Sequence, residues 1–353
     1  MSSSNELTGQ LQPNQTLMFQ EAAAASSVIA KQLALNAPLI VNAVERLRSF
    51  APRAIVTCAR GSSDHAATYA KYLFETHLGL ITASAAPSIT SIYSAPQKLE
   101  GVLYVAISQS GKSPDLLACV KQAKAAGALT LAFVNVEDSP LAQLVDIVIP
   151  LRAGTEKSVA ATKSYLSTLS AIMQLTAVWA ADEKLKSALT TLPQLLTEAW
   201  SKDWQQVVDG LQGVRNLFVI GRGIGLGAAQ EAALKLKETC GLHAEAFSAA
   251  EVKHGPMAIV NEDFPVLLFA QQDNSLEGID GLINDFRVRK ARVFVASEAA
   301  QGSDALAVVN GAHPAIAPLL AVQSFYRMAN ALSIARGYNP DEPPHLRKVT
   351  ETL

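Results

Sequence analysis

A short β-branched run, a glycine-containing turn and an Ala-rich helix occur twice in this chain, and that repeat restricts the fold more than any other feature. The first copy is Ala54 to Thr57 running into Gly61, Ser62 and Ser63 and then HAATYAKYLFE. The second is Asn216 to Ile220 running into Gly221-Arg222-Gly223 and a helix from Ala228. After the first copy come strands at Leu103 to Ile107, Leu129 to Val136 and Ile147 to Leu151, with a helix from Pro114 through Ala125 and a long buried helix from Val159. After the second come strands at Val266 to Ala270, Val293 to Ala296 and Ala307 to Val309, then a last helix from Pro314 to Ala335. Alternating strands and helices predict parallel, doubly wound sheets, and the self-similarity predicts two tandem α/β domains.

Thr16 to Phe50 reads as one or two helices, rich in Ala and Leu at helical spacing. The expected organisation is a flexible tail and helical lead-in over 1–50, a first domain over 51–183, a helical connector over 184–210, a second domain over 211–338 and a C-terminal tail over 339–353.

A chain of 353 residues exceeds one typical core, which agrees with two domains. Its formal charge of -2, with 17% charged residues, argues against a general nucleic-acid binder, whose affinity rests on clustered Lys and Arg. No zinc-ligand cluster is visible, and no uninterrupted apolar run is long enough to span a bilayer. Cys58, Cys119 and Cys240 are widely spaced in apolar surroundings and read as reduced thiols of a cytoplasmic protein.

Two stretches carry chemistry. Ser108-Gln109-Ser110-Gly111-Lys112-Ser113 follows a strand and opens a helix, and Gly61-Ser62-Ser63 stands at the end of the preceding strand. A helix N-terminus with unpaired NH groups and several hydroxyls is a physical basis for holding phosphate; the plainer alternative is an ordinary serine N-cap. The second stretch, Gln230 to Val260, holds Glu231, Lys235 and Glu238 at spacings of four and three, hence on one helical face. Alone, such a face is readily solvated. It is followed by Glu251, Lys253 and His254 ahead of a Gly-Pro turn. The tail NPDEPPHLRKVTETL is broken by prolines yet holds His345, Arg347 and Lys348, and reads equally as a disordered end.

Taken in order, Gly-Ser-Ser after the first strand, SQSGKSPD, AGTEKSVAATK, GRG with ALKLKE, HAEAF, KHGP and a terminal Leu-x-Lys resemble the tandem sugar isomerase (SIS) domains found in glucosamine-6-phosphate synthases, over nearly all of the chain from about residue 20. The resemblance implies two tandem doubly wound SIS domains with the C-terminal tail over the active site. It further implies that Ser63, Ser108, Gln109, Ser110 and Ser113 bind the phosphate of a hexose 6-phosphate and that Glu156 and Val159 line the sugar. Glu238 would be the acid-base moving a proton between C1 and C2, with Lys235 a site lysine one turn earlier. His254 would be the ring-opening histidine, donated across a homodimer interface, and Lys348 the tail lysine that forms an imine in the synthases. Two positions depart from the family pattern: Lys112 replaces an acidic residue, and Pro344 stands where the family has an arginine.

No glutaminase domain precedes the sugar unit in this sequence, so the resemblance points to the isomerising deaminases, which convert glucosamine 6-phosphate and water to fructose 6-phosphate and ammonia without metal or redox cofactor. The alternatives it leaves are a galactosamine 6-phosphate deaminase, a deglycase of 6-phosphorylated fructosamines, and a non-enzymatic sugar-phosphate sensor.

Overall fold

The computed structural model describes residues 11–346 and 348; the expected flexible tail up to residue 10, Arg347 and the last five residues lie outside the described residues. Two helices precede the first strand, as expected: α1 (Leu17–Ala23) and α2 (Ala25–Phe50). Thr16 caps α1, its hydroxyl accepting from Phe19 N at 3.1 Å. By length and composition α2 is long and apolar enough to cross a membrane, although Lys31, Gln32 and Asn36 interrupt its apolar run. Its buried polar residues hold it to the protein instead. Gln32 Nε2 donates to the Leu151 and Ser167 carbonyls, and Asn36 Nδ2 donates to Pro150 O.

The first α/β unit then follows: β1 (Ala54–Cys58), α3 (Ser62–Leu78), β2 (Thr82–Ser84), α4 (Ser88–Ser91), β3 (Val102–Ser108), α5 (Pro114–Ala125), β4 (Leu129–Val134), α6 (Pro140–Leu144), β5 (Ile147–Pro150) and α7 (Lys163–Trp179). The five strands are all parallel, in the order β2-β1-β3-β4-β5. Every residue of the central strand β3 is buried, the mark of a parallel strand covered on both faces. Helix α7, itself almost wholly buried, packs on α3.

After α8 (Glu183–Ser201), the second unit is α9 (Gln205–Leu211), β6 (Asn216–Gly221), α10 (Leu226–Cys240), β7 (His243–Ser248), β8 (Pro265–Phe269), α11 (Glu277–Val288), β9 (Arg292–Ala296) and α12 (Ala317–Ala335). Its sheet is again parallel, in the order β7-β6-β8-β9, which repeats the first four positions of the other sheet. Phe218, Phe264, Leu268, Phe286 and Val295 belong to its core. Of the described residues, 27–156 and 163–190 form one compact unit, and 11–26, 157–162, 191–346 and 348 form the other. The lead-in read as one segment is therefore divided, α1 going with the second α/β unit.

Three expectations are corrected. Ala307 to Val309 is not a strand: the chain there meets β9 through one bridge, Val295 with Ala305, before Gly311 and Pro314 turn it away. The long helix expected from Val159 begins at Lys163, because the Glu156 carboxylate accepts from Ser164 N at 3.2 Å and Ser164 Oγ at 2.6 Å and fixes the helix start there. The last helix begins at Ala317 rather than Pro314. Strands β2 and β7, both at sheet edges, had no counterpart in the sequence reading.

Candidate functional sites

In a sheet ordered 2-1-3-4-5, the strand direction of winding reverses between β1 and β3, and ligands bind in the crevice beyond their C-terminal ends. Those two ends carry the serines singled out from sequence. Ser63 is the second residue of α3, whose N-cap Gly61 has φ +56°. Beyond β3, Ser108 Oγ accepts from Gly111 N at 3.0 Å and Ser110 Oγ accepts from Lys112 N at 3.3 Å, so the loop is folded around its own hydroxyls. Ser113 is the N-cap of α5 but its side chain makes no capping bond, which disfavours the ordinary-cap reading. Lys112 is exposed, while Gln109, Ser110 and Ser113 are half-buried.

Gly111 is required at its position. It has φ +64°, and a Cβ there would lie 2.2 Å from Ser139 Oγ. Gly111→Ala is expected to lower stability by about 1–2 kcal/mol from the backbone alone, with weaker binding of inorganic phosphate. Denaturant unfolding and calorimetric titration check the two effects.

Sequence reasoning missed the cation at this loop. Arg60, between β1 and α3, donates through Nε and Nη2 to Asp115 Oδ2 at 2.9 and 2.8 Å. Asp115 is buried in the first turn of α5, whereas the Arg60 side chain is 53% exposed. A guanidinium is thus fixed at the helix N-terminus that ends the serine loop. Burial pushes the neighbouring Asp64 carboxyl up, with His65 and Arg60 pulling the other way.

The second constellation stands on α10. Glu231, Lys235 and Glu238 do share a face, but not a solvated one: the Glu231 and Lys235 side chains are 0% and 1% exposed, and Glu238 reaches solvent at 22%. Lys235 Nζ donates to Glu238 Oε2 and lies 3.5 Å from Glu231 Oε1. Tyr326, from α12, donates to the same Glu231 oxygen at 2.9 Å. The result is a graded row in which a buried carboxylate and a tyrosine hold an ammonium against a carboxylate at the surface. Buried charges persist only when paired and hydrogen-bonded in this way. Tyr326 lay 95 residues from Glu231 and had no sequence signal.

The remaining candidates are dispersed. His254 follows a 3-10 turn at Glu251–Lys253, is exposed, and makes no side-chain hydrogen bond or ion pair among the described residues. Exposed Ile259 lies nearby in sequence. Glu156 is 4% exposed and is engaged with Ser164 at the start of α7. Val159 N donates to Asp341 O at 3.4 Å, and Lys348 Nζ donates to Ser158 O at 2.6 Å, so the loop before α7 and the tail meet in the second unit. All three cysteines are buried free thiols; burial pushes Cys240 up to about 12. Among the described residues no group of three or more His, Cys, Asp or Glu is placed to hold a metal ion.

The family profile of the SIS domain matches residues 50–178 and 210–303. A glutamine–fructose-6-phosphate aminotransferase (isomerizing) of Thermotoga maritima is 33% identical over 311 residues, which is 83% of this chain and 50% of the relative. The chain therefore spans about half the length of the curated relatives it matches. A crystal structure from Silicibacter pomeroyi, provisionally assigned as a phosphosugar isomerase, superposes with a TM-score of 0.88 at 40% identity, covering 92% of this chain and all of that one. The C-terminal domain of glucosamine-fructose-6-phosphate aminotransferase from Francisella tularensis shares the fold, with a TM-score of 0.86 at 24% identity over 93% of this chain and 98% of that one. Two profile matches falling on the two parallel-sheet repeats, together with a third of positions shared with the isomerizing aminotransferases, establish that the chain belongs to the SIS domain family.

Proposed function

We propose that this chain is a phosphosugar isomerase-type enzyme that converts glucosamine 6-phosphate and water to fructose 6-phosphate and ammonia. The observation that carries the reading is the row on α10, where Glu238 alone reaches solvent and its charge is matched by Lys235. A sugar-phosphate sensor has no use for such a group.

The Ser108 to Ser113 loop with Ser63 takes the phosphate, helped by the fixed guanidinium of Arg60, so that binding energy remote from the reacting carbons orients them. His254 opens the ring by moving a proton between the ring oxygen and the C1 hydroxyl. Glu238 removes the C2 proton; the electron pair forms the C1–C2 double bond as the C1 oxygen gains a proton, giving an enolamine. Return of the proton to C1 leaves a C2 imine. Water adds to C2, the C–N bond breaks, and ammonia leaves with the ketose in place. The substrate brings its own nitrogen, so Lys348 serves to stabilise charge on the sugar oxygens rather than as an obligatory imine.

The test is release of ammonia and fructose 6-phosphate from purified protein given glucosamine 6-phosphate, with galactosamine 6-phosphate and a 6-phosphorylated fructosamine alongside. Both products from the first sugar support the proposal. Turnover of only the galacto sugar or the fructosamine moves the chain to that substrate, and no turnover of any returns it to the sensors. The exposed position of His254 favours donation to a second copy. Mixing His254→Ala chains with Glu238→Gln chains is then expected to restore activity; mixed dimers that form and stay inactive place the histidine within one chain.

A further inference from the structure

Helix α1 is bound at both ends to the segments that carry Val159 and Lys348. At its N-terminus, the Asp341 carboxylate accepts from Leu17 N and Met18 N, each at 2.7 Å, while the Asp341 carbonyl accepts from Val159 N at 3.4 Å. Near its C-terminal end, Glu21, 8% exposed, accepts from Lys157 N at 2.6 Å through one oxygen and from Ser158 N at 3.2 Å through the other. The carbonyl of that same Ser158 receives the Lys348 ammonium at 2.6 Å. Ser158 is wholly buried and its hydroxyl has no hydrogen-bond partner among the described residues, whereas its backbone is engaged on both sides. A carboxylate receiving two successive backbone NH groups forms charge-assisted bonds, stronger than neutral ones, and both peptide groups of Ser158 are then spoken for.

We infer that Glu21 is a positioning residue for the tail lysine: its carboxylate fixes the 157–159 loop, and through the Ser158 carbonyl it sets where the Lys348 ammonium stands. Asp341 acts with it by seating α1. The catalytic meaning of this clasp rests on the function proposed above, but the clasp itself does not.

The test uses the full chain with Glu21→Gln, which keeps the size and removes the charge and one acceptor, and Glu21→Asp, which keeps the charge. The rate at which an amine-reactive ester labels Lys348 is read by mass spectrometry, beside kcat, KM and the melting temperature. Glu21→Gln is expected to label Lys348 at least about threefold faster, as a locally opened segment does, and to lower kcat by about 10- to 100-fold with KM little changed. Glu21→Asp recovers part of both. An unchanged labelling rate in folded Glu21→Gln overturns the inference. Should that variant fail to fold, Asp341→Asn must raise the labelling rate in its place, and failure to do so overturns it equally. If the wild-type chain turns over no sugar while the labelling rate still rises, the proposed function falls and the clasp stands.

Discussion

Glu238→Gln is expected to lower kcat for ammonia release by about a thousandfold, in the middle of the range that a positioned acid-base contributes. Glutamine has the size of glutamate and still accepts from Lys235 through its amide oxygen, so the α10 surface keeps its shape. What it lacks is a basic oxygen to take the C2 proton. Because Glu238 is the partly exposed end of the row, with Glu231 still pairing Lys235 behind it, stability should change by less than about 1 kcal/mol. Steady-state kinetics and calorimetric binding of glucosamine 6-phosphate separate the two functions. Full turnover with weakened binding would remove Glu238 from the proton transfer and make it a sugar ligand.

Most of the architecture was legible because parallel strands buried on both faces read as continuous apolar runs: β1, β3, β4, β6 and β8 stand within a residue or two of their expected places. The edge strand β7, sequence HAEAFS, lacks that signal, since only one of its neighbours is a strand and its burial is partial. The run Ala307 to Val309 has the composition of a strand, yet among the described residues no partner strand continues beside it past the single bridge. Spacing put Glu231, Lys235 and Glu238 on one face, but periodicity is silent on whether a face is wet. Tyr326 on α12 decides it by occupying the Glu231 oxygen. The same limit applies to Arg60 with Asp115, and to Glu21 with Lys157 and Ser158, pairings whose members are far apart in the chain. A lone Glu21 in an Ala-rich helix was the one available hint. Such partners orient the groups that sequence motifs reveal, and they are set by tertiary packing rather than by local pattern.

Lys235→Met is expected to destabilise the chain by about 3–5 kcal/mol, because it leaves the wholly buried Glu231 carboxylate without its cation. The hydrogen bond that Glu231 accepts from Tyr326 is a neutral one and does not replace a cation beside a charge held away from water. At the usual scaling for domains of this size the melting temperature should fall by roughly 10 °C. Adding Glu231→Leu to Lys235→Met removes the stranded charge as well, and most of the lost stability should return, since a buried pair replaced by apolar groups is often neutral. Denaturant unfolding of the two single variants and the double variant measures the coupling. Activity should follow a different course: with no ammonium against Glu238, kcat stays low in the double variant although its fold is restored. A double variant as unstable as Lys235→Met would show that the lysine acts through packing, not charge. Recovery of turnover along with stability would show that Glu238 works without its cation, and the pairing of Lys235 with Glu231 would then be a structural device only.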